Sequence, residues 1–113
     1  CVVVLSELCL GAPSPRYAPY VVAKYALLGL AKCMAVELAR YGCRTNVVLP
    51  GLTETPLTAT LPKKLFEFEA TKNPLQRITT PEDVAGVVAF LVSRDAVYLN
   101  GAQLTVNGGA VMG

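Results

Sequence analysis

Tyr20 and Lys24 lie four residues apart within the stretch YAPYVVAKYALLGLAK, residues 17–32. On a helix, that spacing puts both side chains on one face. A phenol has a reference pKa of about 10, too high for ready proton exchange at neutral pH. A neighbouring ammonium stabilises the phenolate and lowers that value. A tyrosine so placed can protonate a developing alkoxide or take a proton from an alcohol. Tyr17 is seven residues before the lysine with prolines nearby, and Tyr25 is adjacent to it and points elsewhere, so only Tyr20 has the offset. The pair alone is a weak signal. An amphipathic helix whose tyrosine packs and whose lysine snorkels shows the same spacing.

Composition bounds what could surround such a pair. The chain has 113 residues, the size of one small domain. Its 53% hydrophobic and 16% charged content is richer in apolar residues than an average soluble domain. That excess points to strands buried on both faces or to a large subunit interface. The net charge of +2 is too small to argue for nucleic acid, and the ten basic residues are scattered, with only Lys63 and Lys64 adjacent. No uninterrupted apolar run reaches the roughly 20 residues that span a bilayer, so no membrane partner is expected. No basic-then-apolar leader precedes a small-residue cleavage site, so export is not indicated. The cysteines at 1, 9, 33 and 43 form no C-x-x-C pair and have no histidine to help them hold a metal. They read as reduced thiols of a cytoplasmic protein.

The elements that must position the pair follow from periodicity. CVVVLSE opens the chain as a strand over Cys1–Ser6, apolar throughout, which needs neighbours on both sides. The chain therefore reads as the second part of a larger domain. GAPSPRYAP is a loop, followed by a helix from Pro19 to Tyr41 that is apolar on more than one face and is stopped by Gly42. RTNVVLPG gives a short strand, and the segment from Gly51 to Leu61 reads as a loop. A short helix is expected within Pro62–Lys72. Thr80, Pro81 and Asp83 then form a near capping box for a helix reaching about Ser93. A last strand covers Ala102–Val106 and closes on a glycine turn. Strands separated by helices indicate parallel pairing in an α/β sheet.

In this context the motifs align with a known pattern. Tyr20 and Lys24 are followed by A-V-E-L-A at 35–39, G-C-R-T-N-V-V at 42–48, P-G-L-T-E-T-P at 50–56, P-E-D-V-A at 81–85 and N-G-A-Q-L-T-V-N-G-G at 100–109. Essentially the whole chain resembles the C-terminal half of a short-chain dehydrogenase/reductase, of the type that includes 3-oxoacyl-acyl-carrier-protein reductases. The resemblance implies a Rossmann-like, doubly wound parallel sheet with NADP or NAD at the carboxyl ends of its strands. It implies Tyr20 as the acid/base in hydride transfer between the cofactor and a small-molecule carbonyl or alcohol. Lys24 would lower the pKa of Tyr20 and hold the nicotinamide ribose. The Pro50–Gly51 turn would wrap the nicotinamide, with the Thr53 backbone and the Thr55 hydroxyl on its carboxamide. The threonines are equally readable as ordinary loop polarity. The resemblance also points to a homo-oligomer, a dimer or tetramer, through pairing of the long helix.

Two positions depart from that pattern. The family usually carries a serine thirteen residues before the tyrosine, to polarise the substrate carbonyl; here that position is Glu7, with Ser6 one residue earlier. Either the connecting loop carries one extra residue and Ser6 does the work, or the site departs from the pattern. Asn107 stands where the family commonly has aspartate before two glycines. The glycine-rich pyrophosphate turn of the family's first half is not among residues 1–113, and that half is expected from another segment, as a separate chain or as the rest of a longer one. A reductase-like subunit that binds without catalysing is the alternative, favoured by Glu7. The stretch after Pro50–Gly51, with Leu57, Leu61, Leu65, Phe66 and Phe68, reads as an apolar lid over the substrate or as core packing.

Overall fold

The computed structural model describes residues 1–113. Its strands are β1 (Val2–Val4), β2 (Asn46–Pro50) and β3 (Gln103–Val106), and its helices are α1 (Ala18–Glu37), α2 (Lys63–Lys72) and α3 (Pro81–Val92). The strands form one parallel sheet in the order β1-β2-β3. Each crossover carries helix, as parallel pairing requires. The register is read from one row: Val4 lies beside Val48, and Val48 beside Leu104.

β2 is the middle strand and its Val47, Val48 and Leu49 are fully buried. Val47 and Leu49 cluster with Leu5, Leu28 and Ala31, so α1 covers that face. Side chains alternate along a strand, so Val48 faces the other way, where α3 packs with its buried Leu91. β1 has a neighbour on one side only, and its other side stands open. Val2 and Val3 are half-buried and Val4 is 46% exposed, because only β2 lies beside this strand.

α1 has Pro19 in its first turn, where the missing N–H costs nothing. After Glu37 the chain tightens into a 3-10 turn, Ala39–Tyr41, and stops at Gly42 with φ 74°. That left-handed conformation is why glycine ends the helix there. Only Leu28, Ala31 and Ala35 of α1 are buried, which leaves Val22, Leu30 and Val36 on an open opposite face. One expectation needs correction. α1 is 20 residues long and, by length and composition alone, apolar enough to cross a membrane. Counting uninterrupted apolar residues missed this, because an average over the helix tolerates Lys24 and Lys32. Its buried stripe nevertheless packs on the sheet, as a core helix does.

The far ends of the elements are held by polar side chains that satisfy buried backbone groups. The Arg44 guanidinium donates to the carbonyls of Leu91 and Leu99, both at 3.1 Å, and so compensates the carbonyl end of α3. The Asn46 amide donates to Leu99 O at 2.9 Å and its oxygen accepts from Ala102 N at 2.9 Å. Thr80 and Asp83 complete the expected capping box on α3, each side chain bonding the other's backbone N–H. The Arg77 guanidinium beside Asp83 and the Thr80 N–H hold that carboxyl well below the usual carboxylate range.

Candidate active site

All three strands are parallel, so their carboxyl ends share one edge, where Val4, Pro50 and Val106 each hand the chain to a turn. α1 runs back against them and its first turns stand at this edge. The Lys24 ammonium reaches the carbonyl of Val4, the last residue of β1, at 3.5 Å. The same nitrogen sits 5.4 Å from the centre of the Tyr20 ring. The two residues therefore share one helix face and lie side by side. Tyr20 is 40% exposed. Tyr25 is tied down instead: its hydroxyl donates to Cys9 O at 2.9 Å, fastening α1 to the turn after β1. Tyr17 is the residue before the first turn of α1 and makes no capping bond.

Gly51 follows the last residue of β2 at the centre of the edge. A methyl group there would meet Asn107 Cβ at 3.0 Å and Thr79 Oγ1 at 3.1 Å, tighter than ordinary contact, so a side chain would have to push these neighbours aside. Thr79 in turn donates to Val106 O at 2.9 Å, and the Thr53 backbone bridges to Thr79. The loop carrying Thr53 and Thr55 is ordered by Thr58, a residue that sequence reading passed over. The Thr58 hydroxyl accepts from Thr55 N at 2.9 Å and donates to Thr53 O at 2.7 Å. A hydroxyl serving nearby backbone in a Thr-rich turn is the available signal, and it is a weak one. Of the apolar residues beyond the loop, Leu57 and Phe68 are exposed, whereas Leu61, Leu65 and Phe66 are half-buried.

Ser6 and Glu7 have separate occupations. The Ser6 hydroxyl accepts from Leu8 N at 3.2 Å and caps the 3-10 turn Glu7–Cys9. Glu7 is half-buried, and its Oε2 accepts from the Asn107 amide at 2.8 Å. Burial pushes its carboxyl above the ordinary value, and the bond from Asn107 works against that rise. Asn107 is also the hub of the turn after β3: its amide donates to Val111 O and its oxygen accepts from Gly109 N. An Asn followed by two glycines is a readable signature of such a turn. A hollow of about 570 Å³ lies between α3, β3 and the residues after Asn107, away from Tyr20 and Lys24.

Comparison with known proteins agrees with this architecture. A family profile described as Enoyl-(Acyl carrier protein) reductase matches residues 1–111. The chain is 43% identical over 110 residues to Dehydrogenase/reductase SDR family member 4 of Homo sapiens, covering 96% of this chain and 40% of that protein. It is 44% identical over 93 residues to (3R)-3-hydroxyacyl-CoA dehydrogenase of Mus musculus, covering 82% of this chain and 36% of the relative. A crystal structure of a short-chain dehydrogenase/reductase from Brucella melitensis, described as glucose/ribitol dehydrogenase, superposes with a TM-score of 0.90 at 34% identity, over 99% of this chain and 45% of that one. The chain thus spans about 40% of the length of the curated relatives it matches. It belongs to the short-chain dehydrogenase/reductase family of oxidoreductases, and corresponds to the C-terminal portion of that fold.

Proposed function

We propose that residues 1–113 are the catalytic half of a nicotinamide-dependent carbonyl reductase or alcohol dehydrogenase, with Tyr20 as proton donor and acceptor. The observation that carries the reading is the Tyr20–Lys24 pair, with the ammonium 5.4 Å from the ring centre at the carboxyl edge of a parallel sheet. The residues at this edge suit the nicotinamide end of the cofactor. Lys24 has three donors and only one long bond, so it can reach a ribose hydroxyl as well. Gly51 lies at this edge, and the Thr58 hydroxyl fastens the Thr53–Thr58 loop beside it. Pro50 and Gly51 would border the nicotinamide, and the Thr53 backbone and Thr55 hydroxyl its carboxamide. A glycine-rich turn for the pyrophosphate is not among these residues, and would come from the other half of the domain.

When bound, NADPH or NADH supplies the hydride to the carbonyl carbon. Tyr20 gives its phenolic proton to the carbonyl oxygen as charge develops there. Lys24 stabilises the phenolate left behind, which lowers the cost of that transfer. Alcohol oxidation runs through the same groups, with Tyr20 taking the proton. The exposed Leu57 and Phe68 favour an apolar carbonyl compound, a 3-oxoacyl thioester among them, and the name of the mouse relative points to the same class. The direct test is cofactor oxidation by the complete polypeptide across a panel of ketones and 3-oxoacyl thioesters. Absence of turnover with all of them, together with intact cofactor binding, would favour the second reading: a reductase-like binding or scaffold subunit, for which the observation is Glu7 at the serine's offset. Either protein would reside in the cytoplasm, where its four unpaired thiols stay reduced.

Assembly follows from α1. Met34 and Leu38 are half-buried against the chain's own core side, so they are poor reporters of a partner. Val22, Leu30 and Val36 are exposed apolar residues of the open face, Val36 at 78%. In a dimer or tetramer paired through α1, Leu30→Lys or Val36→Lys should lower the mass seen in light scattering while the protein stays folded. An unchanged mass for both variants would place the partner surface elsewhere.

A further inference from the structure

We infer that Glu7 and Asn107 form a clasp across Gly51 that ties the turn after β1 to the turn after β3 and so fixes the edge on which Tyr20 and Lys24 work. Only the kinetic consequence of this clasp rests on the proposed catalytic reading. The clasp's geometry comes from the register. Val4, Val48 and Leu104 share a row, and Glu7, Gly51 and Asn107 each lie three residues further along the chain, past the ends of their strands. Gly51 and Asn107 continue the β2–β3 register, since Gly51 N donates to Val106 O, and Glu7 begins the 3-10 turn beyond β1, so the three lie in a row across the same end of the sheet. Neighbouring strands are about 4.8 Å apart, so the outer two backbones of such a row are separated by about twice that. A glutamate and an asparagine can bridge this gap only if the middle residue offers no side chain. Gly51 offers none, and a Cβ there would strike Asn107 at 3.0 Å. The result is the 2.8 Å bond from the Asn107 amide to Glu7 Oε2, between residues 100 apart in sequence.

The pair also accounts for the two departures from the family pattern as one change. An aspartate in place of Asn107 would set a second carboxylate against Glu7, whereas asparagine provides a donor to it. Glu7 is thus occupied sideways, along the row, and acts as a positioning residue together with Asn107. The charged groups facing Glu7 are Glu69 and Lys72 of α2, and these are paired with each other at 2.6 Å. Burial holds the Glu7 carboxyl above its ordinary 4.5. The native state therefore binds this proton more tightly than the unfolded state does. Stability from Glu7 is greatest below 4.5 and falls as pH rises through the window up to the raised value.

The test is a cycle of Asn107→Asp, Glu7→Gln and the double variant in the complete polypeptide, read by melting temperature and by kinetics. Glu7→Gln keeps an acceptor for Asn107, so it should melt near the wild type and lose the decline through that acidic window. Asn107→Asp should melt lower at neutral pH and partly recover at acidic pH, where one carboxyl takes a proton. In the double variant the introduced glutamine amide donates to the introduced aspartate, so its melting temperature should exceed that of Asn107→Asp. The bond to Val111 O is lost in both proteins that carry the Asn107→Asp change, so the difference between them isolates the clasp. In kinetics, Asn107→Asp should raise the cofactor KM about tenfold, the scale of one hydrogen bond to a charged group. That rise should exceed the change in kcat, and the double variant should reverse it. A double variant melting no higher than Asn107→Asp overturns the clasp, whether or not the enzyme turns over. A melting cycle that shows coupling with no carbonyl turnover in the wild type leaves the clasp standing and removes the catalytic reading. Coupling in melting with an unmoved KM also overturns the inference, because the clasp then has no hold on the working edge.

Discussion

Tyr20→Phe in the complete polypeptide is expected to lower turnover by at least about a hundredfold, the usual scale of general acid catalysis, and to leave cofactor affinity nearly unchanged. The substitution removes one oxygen and keeps the ring. The ring's packing beside Lys24 is therefore preserved, and the helix start is not disturbed. What disappears is the only proton donor with this offset in a chain that has no histidine. Lys24→Met is the informative companion. It removes the charge that stabilises the phenolate and, on the proposed reading, the contact to the ribose, so both kcat and cofactor KM should worsen. The split between the two variants distinguishes proton transfer from binding. A Tyr20→Phe enzyme with near-normal turnover would refute the assignment outright.

The fold was legible because each element carries its own local signal. The valine runs of β1 and β2, Pro19 at the start of α1, Gly42 after its end and the Thr80–Asp83 box each act within a few residues. The structure differs from the sequence expectation mostly by one or two residues at their ends, where strands and helices fray. The long helix is the larger difference, since its last turn tightens into a 3-10 turn before Gly42. The Tyr20–Lys24 pair was legible for the same reason, because a spacing of four is a local property of a helix.

What sequence could not supply depends on register between distant segments. Nothing local to Glu7 announces Asn107, and the bond between them follows only once β1 and β3 are aligned through β2. Gly51 likewise reads as turn punctuation, while its tightest contact is to a residue 56 positions later. Thr58 was missed because one hydroxyl among many threonines has no spacing to distinguish it. The surroundings of β1 were legible only in part, for a related reason. An apolar run states that neighbours are needed, and it does not state which chain segment provides them.

That open demand for neighbours gives the last expected result: residues 1–113 alone should neither unfold cooperatively nor bind NADH or NADPH. Only 15 of the 113 residues are buried, few for a sheet with helices on it. The radius of gyration is 14.8 Å, against about 13 Å for a compact chain of this length. Part of the exposed surface is apolar. Val4 on the open edge of β1 and Val22, Leu30 and Val36 along α1 face outwards. An open strand edge and an apolar helix face together invite aggregation. Dinucleotide binding should fail for a separate reason. On the proposed reading the edge described above meets the nicotinamide end only, and the pyrophosphate needs backbone N–H groups at a glycine-rich helix start, which residues 1–113 do not contain. Adding the segment that carries the other half of the domain should restore both properties together, because the same strands that cover β1 would lead into that turn. Calorimetry with NADH and NADPH on the isolated chain, beside its thermal unfolding, decides the matter. A sharp transition with micromolar binding would show that these 113 residues are self-sufficient and that the exposed edge of β1 needs no cover.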